Sequence, residues 1–109
     1  EINNLMEEYK VIIGREYIQD YEDLELYLAN SSMYESNKKK ILDLIDRDLD
    51  GLKTSPYIGA RLDSRISIPN DYRYLVSGDY LQFYKISNNV VKVYRLVYAK
   101  SDYLTTLRL

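Results

Sequence analysis

"DYRYLVSGDYLQFYKISNNVVKVYRLVY", residues 71–98, decides the fold of this chain. Tyrosine, valine, leucine and other strand-forming residues fill three runs, 71–77, 79–86 and 90–98, with "SGD" and "SNN" between them. Gly, Asn, Asp and Ser are the residues that accept the backbone conformations of tight hairpin turns, so the stretch predicts a three-stranded antiparallel meander. Strand alternation sets Tyr72, Tyr74 and Val76 against Arg73, Leu75 and Ser77, and Tyr80, Gln82 and Tyr84 against Leu81, Phe83 and Lys85. Both faces therefore carry large apolar groups and both need cover. Most of the tyrosines are expected to bury their rings against helices, with hydroxyls hydrogen-bonded or at the edge. Parity alone does not say which ring faces solvent, where a base could stack on it.

Upstream, "EYKVII" (8–13) is a short β-branched run closed by Gly14 and reads as a first strand. In "REYIQDYEDLELYLANSS" (15–32), Tyr17, Tyr21, Leu24 and Leu28 recur at steps of four, three and four, which gathers them on one helical face with acidic residues between. "SNKKKILDLIDRDLDGLKT" (36–54) predicts a second helix, with Ile41, Leu42, Ile45, Leu49 and Leu52 as its stripe and Ser36 or Asn37 as its cap. Two amphipathic helices with a short link form an antiparallel hairpin whose stripes need a sheet to cover. "TSPYIGARLDSRISIPND" (54–71) loses all periodicity at Pro56, Gly59 and Pro69 and reads as a long connection with extended pieces. "SDYLTTLRL" (101–109) opens with a capping Ser or Asp and predicts a short terminal helix.

The expected architecture is α+β. An N-terminal strand and an antiparallel helical hairpin pack on a mainly antiparallel sheet with a C-terminal three-stranded meander and a short C-terminal helix. Its 109 residues suit one domain, 1–109, able to bury a core without disulfides or metal. With 46% hydrophobic and 29% charged residues the composition is that of an ordinary globular chain. No apolar run approaches a bilayer span and "EINNLMEEYK" lacks the order of a signal peptide, so the cytoplasm is the expected compartment.

Neither cysteine nor histidine occurs, which removes thiol nucleophiles, thiolate or imidazole metal sites and the commonest general base. No metal or other cofactor is expected. Charge is divided along the chain: residues 1–50 carry a net −7 and residues 51–109 a net +5. The positive half is where an anionic partner would sit. A pI near 5.1 is nevertheless low for a nucleic-acid binder.

The order strand, helix, helix, meander, taken with particular residues, resembles the RelE/ParE superfamily of type II toxin–antitoxin toxins. The resemblance is carried by "DLELYLANS" (23–31), by Leu52, Pro56 and Gly59 in "LKTSPYIGARL" (52–62), and above all by the stretch from Asp71 to Leu104. It spans residues 8–108; residues 1–7 read as an extension or a tag remnant.

The resemblance implies a growth-arresting toxin neutralised by a cognate antitoxin, with which it would form a hetero-oligomer. It also implies one of two targets. RelE-like members cut mRNA on the ribosome, with cations that stabilise the phosphorane and a proton donor. ParE-like members inhibit DNA gyrase by binding. Of three positions where RelE carries cations, only Arg73 is basic here; Leu75 and Leu81 occupy the others. Lys100 and Tyr103 in "AKSDY" match the C-terminal arginine and tyrosine, so the nuclease alternative would use Arg73, Lys100 and Tyr103. Apolar Leu81 and Phe83, with Arg95 and Asp102 at the strand end, fit the ParE-like pattern better, and a gyrase inhibitor is the favoured reading. A third reading is a degenerate toxin that only binds its antitoxin.

Arg61, Arg65, Arg73, Arg95, Lys100 and Tyr103 are the candidate contacts for target or antitoxin. Arg95, between "VY" and "LVY", needs a carboxylate such as Asp102 or Asp71, or an external anion.

Overall fold

In the computed structural model, residues 8–109 are described; the expected extension or tag remnant at 1–7 lies outside them. Strand β1 (Lys10–Ile13) leads into helices α1 (Arg15–Ala29) and α2 (Glu35–Asp50), then a 3-10 turn at Gly51–Lys53. A two-residue strand, β2 (Ala60–Arg61), and a second 3-10 turn at Leu62–Ser64 follow. The chain ends in the meander β3 (Arg73–Ser77), β4 (Tyr80–Ser87) and β5 (Val90–Tyr98), with a short helix α3 (Tyr103–Thr106). The five strands lie in the order β1-β5-β4-β3-β2. Among the described residues only β1 is parallel to its neighbour, pairing Lys10–Ile13 with Val90–Val93 of β5.

The hairpin turns form where Ser, Gly, Asp and Asn predict them. Gly78 takes a φ of 63° and Asn88 a φ of 56°, left-handed conformations that Gly and Asn tolerate best. Between β4 and β5 the register slips: Phe83 pairs with Arg95 but Tyr84 with Val93, leaving Tyr94 as the extra residue of a bulge. The bulge changes the parity of β5, so Val91, Val93 and Leu96 all join one apolar cluster.

That cluster lies under the helices and joins Tyr17, Leu24 and Leu28 of α1, Ile45 of α2 and Leu52 to Leu75 and Tyr84 of the sheet. The helical stripes therefore cover the sheet as their spacing requires. A buried polar chain crosses the same layer: Tyr17 donates to Gln82 Oε1 (2.6 Å), and Gln82 Nε2 donates to the Ile45 carbonyl (3.1 Å) and Ser77 Oγ (2.9 Å). Ser77 in turn donates to Asp48 (2.7 Å). Every buried polar side-chain atom among the described residues has a partner, as a dry layer demands.

The opposite, distal face carries a second cluster of Leu62, Tyr74, Leu81, Phe83, Val97 and Leu107, with Tyr72 and Tyr103 packed beside it. Leu62 is brought there by the second 3-10 turn and Leu107 lies just beyond α3.

Two local expectations need correction, and the extended pieces expected after α2 become specific. The connection after α2 contains a fifth strand, β2, whose Ala60 and Arg61 pair with Tyr74 and Arg73; two residues are too few for a period to show. Helix α2 begins two or three residues earlier than Ser36 or Asn37 would place it, with Tyr34 at the N-cap and no side-chain cap. Tyr74 is buried on the distal face rather than against the helical hairpin. Asp102 does cap α3, accepting from the Thr105 amide at 3.3 Å and the Thr105 hydroxyl at 2.6 Å.

Candidate interaction surfaces

The candidate residues fall on different sides of the molecule: Arg61, Arg73 and Arg95 lie on strands, while Arg65, Lys100 and Tyr103 lie outside them. Arg73 opposes Tyr84 and so stands on the helix-facing side, at the edge next to the Pro56–Gly59 loop. Its guanidinium donates to the Gly59 carbonyl (2.8 Å) and lies over the Tyr57 ring, 5.0 Å from the centroid. Tyr84 completes this clamp, donating to the Pro56 carbonyl (2.7 Å) and accepting from the Gly59 amide (3.0 Å). The loop tip so fixed exposes Tyr57 and Ile58.

Arg65 belongs to the distal side. It donates to the Tyr74 hydroxyl at 3.5 Å, and its charged form is favoured first by that hydrogen bond and then by Tyr103. Tyr103 packs on Phe83 in the distal cluster. Arg65 and Tyr103 are thus the members of the candidate set that the fold brings together. Lys100 is exposed after β5, and Arg61 is held by a bidentate pair with Asp63 (3.0 and 2.6 Å). The set proposed for the nuclease alternative is divided, with Arg73 on the helix-facing side and Tyr103 on the other.

Arg95 has a carboxylate partner, but neither Asp102 nor Asp71. Its Nε and Nη2 donate to Asp20 of α1 at 2.8 and 2.9 Å, and Nη1 reaches the Thr106 carbonyl at 3.4 Å. Asp20 also accepts from the Leu96 amide (2.9 Å). Asp71 instead pairs with Lys85 (3.1 Å). Lys85 sits over the faces of Tyr72 (4.4 Å) and Tyr94 (5.3 Å), and Lys92 over Tyr94 (5.0 Å). Burial outweighs the Lys85 ammonium at Tyr72 and raises its phenol above the ordinary tyrosine range.

The candidate list omitted a groove of about 670 Å³ between α1, the start of α2 and the β4–β5 end of the sheet. Leu24, Leu28, Met33, Ile41 and Leu96 supply its apolar lining, Tyr27, Tyr80 and Tyr98 its aromatic walls, and Asp20, Asp23 and Asp79 its charges. Tyr27 and Tyr98 are 64% and 46% exposed. Asp23 and Tyr27 stand four residues apart on α1, a spacing that places them together; that signal was legible in "DLELY".

The layers and strand order define a class: a helical hairpin on a sheet whose parallel N-terminal strand borders an antiparallel meander, the RelE/ParE-like fold. A solved structure titled "Chromosomal ParDE TA system from P. aeruginosa" has this fold. It superposes with a TM-score of 0.64 at 13% identity, over 84% of this chain and 97% of that one. Residues 11–103 match the family described as ParE toxin of type II toxin-antitoxin system, parDE. The chain belongs to that family. Comparison with curated proteins gave no match. Among the described residues no helix is long and apolar enough to cross a membrane.

Proposed function

We propose that this protein is a growth-arresting cytoplasmic toxin that acts by binding and inhibiting DNA gyrase, and that a cognate antitoxin neutralises it in a hetero-oligomer. The observation that supports binding over cutting is the filled distal face. Leu81 and Phe83, 6% and 0% exposed, pack with Tyr74 and Val97 beneath Leu62 and Leu107. Leu75, at the other position where an RNA-cutting relative would carry a cation, is buried under the helices. Phosphoryl chemistry on RNA needs cations converging on one phosphate, and Arg73 and Tyr103 lie on opposite faces. The distal face pairs cations with phenols at Arg65 with Tyr74 and Tyr103 and at Lys85 with Tyr72, an arrangement suited to contacting an acidic protein surface.

Induction without the antitoxin, followed by pulse-labelling of DNA and protein, tests this reading. DNA synthesis is expected to stop first, with mRNA intact in primer extension. Protein synthesis stopping first, with cuts in the ribosomal A site, would establish the endoribonuclease instead. Undiminished growth would leave the degenerate, antitoxin-binding reading.

A further inference from the structure

Lys85 of β4 and Lys92 of β5 are directly opposed in the strand register. Both stand on the distal face, since their neighbours Tyr84, Val91 and Val93 lie under the helices. Like charges at such a pair repel, a cost that an anion held between the two ammoniums would remove. The bulge adds a ring to the pair: Tyr94, the extra residue of β5, lies with its centroid 5.3 Å from the Lys85 ammonium and 5.0 Å from that of Lys92. Tyr72 meets Tyr94 edge to face at 5.6 Å and holds the Lys85 ammonium at 4.4 Å. On β1, Val11 and Ile13 pack under the helices, which puts Lys10 on the distal face one strand further out. Asp71, 76% exposed, answers Lys85, while Lys10 and Lys92 form no ion pair among the described residues. Glu16, whose charge also reaches Tyr72, is engaged by Arg95 and Arg108.

We infer that Lys85, Lys92 and Lys10, framed by the Tyr72 and Tyr94 rings, form a binding site for the carboxylates of an acidic protein segment. Two ammoniums opposed across one strand pair can share a carboxylate, and the rings fix the Lys85 ammonium in advance, which lowers the ordering cost of the contact. Charge favours a protein over a nucleic acid as the occupant. Asp71, 3.1 Å from Lys85, would face the phosphates of a strand laid across the site. The three cations are lysines, without the planar fork that grips a phosphate bidentately, and the chain's pI is near 5.1. Resting on the gyrase reading above, the acidic segment belongs to that target.

The test titrates the purified protein, followed by NMR, with a short synthetic peptide alternating glutamate and glycine, with its glutamine counterpart, and with a short single-stranded DNA. The glutamate peptide is expected to shift the ring resonances of Tyr72 and Tyr94 and the other two probes to leave them. Lys92→Gln should weaken glutamate-peptide binding about fivefold, and Lys85→Gln with Lys92→Gln about tenfold or more. The urea midpoint of Lys92→Gln should not fall, because Lys92 is exposed and its loss relieves a repulsion. Unmoved tyrosine rings, equal binding of the two peptides, full affinity in the double variant, or DNA bound as tightly as the glutamate peptide would overturn the assignment. Gyrase binding of Lys92→Gln is then compared with that of the wild type. A weakening like that seen with the peptide places the acidic segment on gyrase, and equal binding removes gyrase as its bearer. A wild-type protein that fails to bind gyrase refutes the gyrase reading, and the peptide result then decides the site alone.

Discussion

Asp20 and Arg95, 75 residues apart in sequence, form a bidentate pair at 2.8 and 2.9 Å, and the same carboxylate accepts the Leu96 amide. β1 accompanies β5 only as far as Val93, so the later part of β5 is an outer edge whose amides need other partners. Asp20 supplies one of them. Arg95 meanwhile ties α1 to α3 through the Thr106 carbonyl. Helix, edge strand and C-terminal helix thus meet at one carboxylate.

Asp20→Ala removes this junction and leaves a guanidinium 23% exposed without its main partner. Allowing for partial screening, the loss is expected to be about 2–3 kcal/mol, seen as a lower urea midpoint at unchanged slope. Arg95→Leu in the same background should add little, because the two changes remove one interaction. Simple additivity in that double-mutant cycle would show the pair to be energetically idle.

Tyr17 donates into the dry Gln82 chain, and burial, followed by the nearby Tyr21, Asp46 and Asp20, raises its pKa well above the ordinary tyrosine value. Unfolded tyrosines ionise near pH 10, so above that the unfolded state holds fewer protons than the folded one. Stability from this group is whole below about pH 10 and falls as pH rises beyond it. Tyr17→Phe should lower stability at neutral pH by about 1–3 kcal/mol, since Gln82 loses a buried donor, and should flatten the alkaline decline. Urea titrations from pH 7 to 11 check both; a variant with an equally steep alkaline decline would contradict the role given to Tyr17.

Gly59 lies where a Cβ would meet Tyr84 and come within 2.7 Å of the Tyr74 carbonyl. Gly59→Ala is expected to displace the Pro56–Gly59 loop and cost about 2 kcal/mol or more. Tyr84→Phe, which keeps the ring and removes both hydroxyl bonds, should cost about 1–2 kcal/mol and speed amide exchange at Gly59 selectively. Exchange unchanged at Gly59 in Tyr84→Phe would show that the clamp does not hold the loop.

Leu81→Lys asks whether the distal face can regain a phosphate-binding cation. Leu81 is packed among Phe83, Tyr74 and Val97, so the ammonium would be buried without a carboxylate. A loss of about 3 kcal/mol or more is expected, read as a fall in Tm, with no gain of RNA cleavage. Wild-type stability together with new cleavage would mean that the face opens readily.

Apolar periodicity made the two helices legible, strand-forming runs between turn residues the meander, and a capping Ser or Asp the short terminal helix. Strand β2 was illegible, since Ala60 and Arg61 are strand only by virtue of Arg73 and Tyr74 beside them. The need of Arg95 for a carboxylate was readable from its apolar neighbours; sequence proximity pointed to Asp102 or Asp71 rather than to Asp20, 75 residues away. Asp20 stands three residues after Tyr17 and four before Leu24, on the buried stripe, and that spacing held the answer. Arg73 and Tyr103 share a sequence pattern but not a face: strand parity puts Arg73 beside Tyr84 under the helices, while Tyr103, in α3, packs on Phe83 of the distal face. The groove escaped notice because Tyr27, Tyr80 and Tyr98 come from three elements that only the tertiary fold assembles.

The most direct test of action by binding is a supercoiling assay with purified gyrase and micromolar toxin, run beside ribosomes carrying a defined mRNA. Arrested supercoiling or trapped cleaved DNA, reversed by the antitoxin and accompanied by intact mRNA, is the predicted result. Unimpeded gyrase with mRNA cut in the ribosomal A site, abolished in Tyr103→Phe, would contradict it.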